Sequence, residues 1–255
     1  MPQWFLNRSG VEQALLATTG TWLATALGAA LVFGCRTVKR VFLDLMMSFA
    51  GGIMLAASCF SLLLPALEMA SPVNVCCGFL LGCCLMLLCD GICARLLANQ
   101  NDRRRQILLI TSITLHNIPE GLAIGVAFGS ANLVIPGGQM SAACALAAGI
   151  ACQNLPEGFA VSGPLMREGM GKGKAFVIGQ LSGVVEIAAG VLGAILVQQA
   201  SVLLPWLLAF AAGAMVYVVV GELIPESQQN GHKALMTCSC MVGFAVMMLL
   251  DTLLG

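Results

Sequence analysis

Eight long apolar stretches follow one another along this chain with only short connections between them. They cover about residues 11–34, 41–66, 73–97, 106–129, 140–164, 175–198, 203–224 and 234–254. About 20 mostly apolar residues are needed for a helix to cross the hydrocarbon core of a bilayer. Only 9% of the residues are charged, against about 25% in soluble domains, and the mean hydropathy is +0.93. So little charge cannot cover a water-soluble globule, so lipid must be the solvent. The expected fold is an all-α polytopic membrane protein with eight transmembrane helices, residues 1–255 forming a single unit. The opening "MPQWFLNRSGVEQ" lacks a basic region followed by a cleavage site, so 11–34 reads as a retained span. A formal net charge of zero gives no field that would draw a nucleic acid.

Basic residues set the orientation of such a chain. Arg36, Lys39 and Arg40 follow span 1, and Arg95, Arg103, Arg104 and Arg105 follow span 3. Arg167, Lys172 and Lys174 follow span 5, and Lys233 follows span 7. Only Arg8 falls on the other side. Both termini are therefore expected on the extracytoplasmic face. The twelve cysteines lie almost entirely in apolar runs, where small residues let helices approach closely. Packing is the first reading for them. A thiolate metal path, resting on Cys238/Cys240 and Cys83/Cys84/Cys89/Cys93, is the second.

The chain also repeats itself. Span 2 holds "FAGGIMLAASCFSLLLPALE" from Phe49, and span 7 holds "FAAGAMVYVVVGELIPES" from Phe210. Both begin Phe-Ala-small-Gly-x-Met and reach an aliphatic-Pro pair, Leu64-Pro65 and Ile224-Pro225. By the charge rule they cross in opposite directions. Spans 4 and 5 form a second inverted pair, with "HNIPEG" at 116–121 and "QNLPEG" at 153–158. A 3+2+3 inverted-repeat layout follows, and such repeats are typical of transporters with midplane sites.

His116 and Glu120 are four residues apart and share a helical face with Asn117 beside them. Gln153, Asn154 and Glu157 repeat that layout, and span 6 adds Glu186 at a similar depth. Pro119 and Pro156 each deprive the carbonyl four residues back of its donor. Three carboxylates facing lipid at this depth would cost on the order of 8–10 kcal/mol. They must face a shared interior and be protonated or neutralised by a cation. No Lys or Arg stands at this depth in any span, which points to a divalent ion. Imidazole, carboxylate and amide oxygen suit Zn²⁺, Fe²⁺, Mn²⁺ or Cd²⁺ better than Cu⁺. Seven donors exceed the four usual at one zinc, which suggests two metals bridged by Glu120 and Glu157.

At these residues the chain resembles the ZIP (Zrt/Irt-like) family of divalent-metal transporters. "HNIPEG" and "QNLPEG" look like its fourth- and fifth-span motifs, and Gln153 looks like the GufA-type subgroup. The resemblance implies a binuclear centre lined by His116, Asn117, Glu120, Gln153, Asn154 and Glu157, with Glu186 as the sixth-span glutamate. It implies uptake toward the cytosol across the plasma (inner) membrane by elevator-like alternating access, commonly as a homodimer. Spans 1, 4, 5 and 6 would carry the metal past spans 2, 3, 7 and 8. The metal is then substrate, and no prosthetic group is implied. Asn154 stands where some relatives have Asp, leaving the second metal position one negative charge poorer. The loop "NQNDRRRQ" lacks the histidine cluster that many members carry.

Asp90, Glu222 and Glu226 lie toward the inner ends of spans 3 and 7. They read either as an exit path, with Glu222 and Glu226 on one face, or as solvated helix ends. Glu68 at the outer end of span 2 and His232 in a polar loop read as surface groups. The alternatives to a divalent-metal carrier are a metal-selective channel and a proton-coupled carrier of another cation. An intramembrane enzyme is disfavoured, because H-E-x-x-H and G-x-S-x-G are both absent, and so is a Walker-type ATPase segment.

Overall fold

The computed structural model describes residues 3–35, 39–96, 104–131, 133 and 139–254, with only the backbone given for 96, 104–110 and 112–113. Arg36, Arg103 and the side chains of Arg104 and Arg105, part of the charge argument above, lie outside the described residues, as does most of the loop after span 3.

After a helical turn at Gln3–Leu6, eight long helical rods follow in order. They are α1 (Gly10–Gly34), α2 (Arg40–Met69), α3 (Pro72–Leu96), α4 (Arg104–Ala131), α5 (Met140–Arg167), α6 (Lys172–Gln199), α7 (Ser201–Gln228) and α8 (Lys233–Leu254). Their ends fall within a few residues of the apolar stretches. Among the described residues six of them, all but α4 and α5, are long and apolar enough to cross a membrane. The chain is thus an all-helical polytopic membrane protein. The other two, of 28 residues each, carry the polar motifs, which lower their apolar character.

Local chemistry explains several rod boundaries and irregularities. Ser9 caps α1: its hydroxyl accepts from the Glu12 N–H at 3.3 Å, while the Glu12 carboxylate accepts from the Ser9 N–H at 2.9 Å, a reciprocal cap that satisfies two end donors. Inside α2 and α7 the α-helix widens into a π turn at Ser58–Leu63 and Val219–Leu223. Each π turn runs directly into an aliphatic-Pro pair, where the proline ring, without an N–H, disturbs the ladder. Rod α6 is interrupted at Ser182-Gly183 and restarts at Val184.

The most extensive helix pairings are α4 with α6, α1 with α5, α2 with α8 and α3 with α7. Further contacts join α1, α4, α5 and α6 to one another and the other four rods to one another, and the two groups pack together through α5 with α2, α4 with α7 and α5 with α8. Each major pair is clasped by glycine. A Cβ at Gly121 or Gly125 would overlap the carbonyl of Glu186 or Gly190, and one at Gly158 or Gly28 that of Thr25 or Leu155. Gly52 and Gly243 do the same for α2 with α8, and Gly82 and Gly213 for α3 with α7. All twelve cysteines are free thiols. Cys83 donates to the Gly213 carbonyl at 3.2 Å and Cys240 is buried beside Gly52, both in packing roles.

Candidate cation site in the four-helix group

The two repeated motifs lie on α4 and α5 within the four-helix group. The motif glycines determine what lies against them: Gly121 lets α4 touch α6 at Glu186, and Gly158 lets α5 touch α1 at Thr25. Residues from four helices are thereby brought together. His116, Asn117, Glu120, Gln153, Asn154, Glu157 and Glu186 are all buried, Glu120 and Glu186 completely. Glu157 and Glu186 are both near enough for their charges to act on Glu120.

The three carboxamides are oriented alike. Asn117 Nδ2 donates to the Ser182 carbonyl at 2.7 Å, and Gln153 Nε2 to Glu120 Oε1 at 2.6 Å. Asn154 Nδ2 donates to Glu186 Oε1 at 2.7 Å and to the Thr21 carbonyl at 3.2 Å. Every partner is an acceptor, which fixes the NH₂ end of each amide and leaves its oxygen as the remaining acceptor. Those three oxygens, with Glu120 Oε2 and both oxygens of Glu157, are buried with no hydrogen-bond partner. These six are the only buried side-chain N or O atoms so identified among the described residues. All are acceptors, and such groups are normally paired because leaving them unmet costs about 1–3 kcal/mol each.

Among the described residues no lysine or arginine is buried, so no protein cation answers these oxygens. Nor do any three His, Cys, Asp or Glu side chains among the described residues form a compact metal cluster. The free acceptors come from two carboxylates and three amides instead, a hard oxygen set that a divalent ion would satisfy.

Glu186 differs from Glu120 and Glu157. Both its oxygens are engaged, Oε1 by Asn154 and Oε2 by the Thr21 hydroxyl at 2.6 Å. His116 Nε2 is 3.3 Å from Glu222 Oε1, a contact from α4 across to the π turn of α7. Asp90 shares a hydrogen bond with Tyr217. Glu226 turns elsewhere: Arg40 Nη2 holds its Oε1 at 2.6 Å, and the same guanidinium reaches Asp44 at 3.4 Å. Glu222 therefore meets His116, whereas Glu226 joins an ion-pair network at the ends of α2 and α7. Thr21, Ser182 and Tyr217 were not among the expected site residues.

Fold and site together define a class: a multi-pass helical membrane protein with acceptor oxygens gathered inside one half of its helix bundle. Comparison with known proteins narrows the class to a family. Residues 97–251 match the family described as ZIP Zinc transporter. The chain is 38% identical to Zinc transporter ZIP11 of Xenopus tropicalis, over 97% of this chain and 98% of the relative. It is 37% identical to Zinc transporter ZIPB of Bordetella bronchiseptica, over 98% and 84%, and 32% identical to Zinc transporter GufA of Myxococcus xanthus, over 97% and 99%. The chain belongs to the ZIP zinc transporter family, a family of transporters and not of enzymes.

Proposed function

We propose that this chain is a secondary transporter that moves Zn²⁺, or a similar divalent ion such as Cd²⁺, Fe²⁺ or Mn²⁺, toward the cytosol. One observation carries the reading: six buried acceptor oxygens on α4 and α5 lack any partner, and no buried Lys or Arg among the described residues offsets the carboxylates. The ion is substrate. Glu120, Glu157 and the amide oxygens of Asn117, Gln153 and Asn154 would hold it, with His116 at one side and Glu186 behind Asn154. Six such oxygens are enough for two neighbouring metals bridged by the two glutamates.

All eight rods are proposed to span the membrane in a 3+2+3 inverted arrangement, with residues 1–255 as one transport unit and both termini outside the cell's inner membrane. The pairing pattern supports this. Exchanging α1 with α6, α2 with α7, α3 with α8 and α4 with α5 maps the four major pairings onto themselves. The matching π turns before Pro65 and Pro225 obey the same exchange. The pairing of helices within two four-helix groups supports elevator-like alternating access, with α1, α4, α5 and α6 moving past the others; a homodimer is proposed only from the family resemblance. Asp90 and Glu222 would receive the ion on its way out. Moving two charges inward down a potential of about 100 mV yields about 4.6 kcal/mol, so ATP is not required.

The test is uptake into metal-free proteoliposomes with several divalent ions competing. Saturable, strongly temperature-dependent zinc uptake is expected. A current without a temperature-sensitive step would instead establish a channel.

A further inference from the structure

Gly149 lies on α5 one turn before Gln153, and the space left by its missing side chain is filled from the other helix group. A Cβ built on Gly149 would overlap the Met247 sulfur and crowd its terminal methyl. Met247, on α8, is completely buried, and Gly149 is buried as well. The glycine clasps described above differ in kind: there a backbone carbonyl stands in the way, and both helices belong to one group. At Gly149 the obstruction is the far end of a side chain, and the contact runs across the two groups, from α5 to α8. Methionine is unbranched, with three rotatable side-chain bonds, so its thioether can withdraw where a carbonyl cannot. Ala145, Gly149 and Gln153 follow at four-residue spacing along one face of α5, and Ala145 and Gln153 are completely buried. Gly149 is thus a notch between a methyl group and a longer amide side chain.

We propose that Met247 and Gly149 form a detent between the two helix groups: the thioether seated in the glycine notch holds the arrangement seen here, and it must withdraw before α1, α4, α5 and α6 can shift along the other helices. The inference rests on the alternating-access reading given above. A shift of one helical turn, about 5.4 Å, carries the notch away from Met247. In one direction the thioether then meets the Ala145 methyl, and in the other the Gln153 side chain. Within each group the carbonyl clasps cannot yield in this way, so each group moves as a unit and the yielding contact is the one at Met247.

The register between the groups can be read at a second contact, where the Phe42 ring on α2 meets that of Phe159 on α5 with centroids 5.9 Å apart. Phe42→p-benzoylphenylalanine, illuminated in proteoliposomes and mapped by mass spectrometry, should cross-link to α5 at Phe159 in the arrangement seen here. After a one-turn shift the cross-link falls about four residues away along α5. Gly149→Ala fills the notch, and Met247→Ala removes the thioether. Each is expected to raise the ratio of displaced to original cross-link about fivefold or more. Gly20→Ala, whose added methyl meets nothing within 4 Å, should leave the ratio unchanged. Monodisperse elution and a cooperative thermal transition establish that each variant is folded, and either notch variant suffices should the other not fold. An unchanged ratio in a folded notch variant overturns the detent. Absence of zinc uptake by the unsubstituted chain would instead overturn the transport reading itself.

Discussion

Gln153 Nε2 donates to Glu120 Oε1 at 2.6 Å, joining the two halves of the repeated motif across α4 and α5. The bond leaves Gln153 Oε1 and Glu120 Oε2 as neighbouring buried acceptors without partners. Gln153 therefore has two tasks, orienting a carboxylate and offering an oxygen. Gln153→Leu removes both while keeping similar bulk. Loss of an orienting partner costs about 10- to 100-fold in metal affinity, and a fall of that order is expected in zinc titrations. An unchanged titration would show that the pair does not face the ion.

Gly158 and Gly20 offer a matched comparison on packing. A Cβ at Gly158 would overlap the Thr25 carbonyl, whereas one at Gly20 meets nothing within 4 Å. Gly158→Ala must push α1 from α5, with overpacking of this kind costing about 1–3 kcal/mol. Gly20→Ala should be neutral or stabilising, by up to about 1 kcal/mol from helix propensity. Thermal unfolding in detergent checks both, with Tm lowered for the first and kept or raised for the second. Equal Tm values would contradict the close approach.

Much of this architecture could be read from residue order, and the limits are physical. The rods were legible because lipid demands long apolar runs, and Glu120, Glu157 and Glu186 stood out because a carboxylate there is costly. Thr21 was not legible. A threonine in a membrane helix satisfies itself locally, as Thr18 does by donating to the Ala14 carbonyl at 2.7 Å. Its meeting with Glu186 depends on a partner 165 positions away. The α6 interruption at Ser182-Gly183 carried only a Ser-Gly pair as a signal. Glu222 and Glu226 were expected on one face, but the π turn and Pro225 direct them to His116 and Arg40.

The His116–Glu222 contact, at 3.3 Å, joins the two four-helix groups. Glu222 belongs to α7, outside the group that holds the free oxygens. Glu222→Ala should therefore change the rate of zinc uptake while leaving zinc affinity at equilibrium near the wild-type value. Calorimetry and proteoliposome uptake on one preparation separate the two. An affinity loss as large as that of a Glu120 variant would place Glu222 among the primary ligands instead.

Acid should weaken zinc binding. Carboxylate and imidazole ligands bind metal only when deprotonated, so protons compete with the ion and metal binding releases them. As pH falls from about 7.5 to 5, affinity should fall and proton release on binding should increase. Titrations in buffers of different ionisation enthalpy measure both. Affinity constant across that range would be inconsistent with a site built on Glu120, Glu157 and His116.

Glu157 gives the most direct test, because both its oxygens are buried without partners. The decisive measurement is zinc uptake by proteoliposomes containing Glu157→Ala, with insertion checked by protease protection and elution profile. Removing a partnerless buried carboxylate should leave the protein inserted and folded while uptake drops to the level of protein-free vesicles. Uptake at the wild-type rate by the inserted variant would contradict the site.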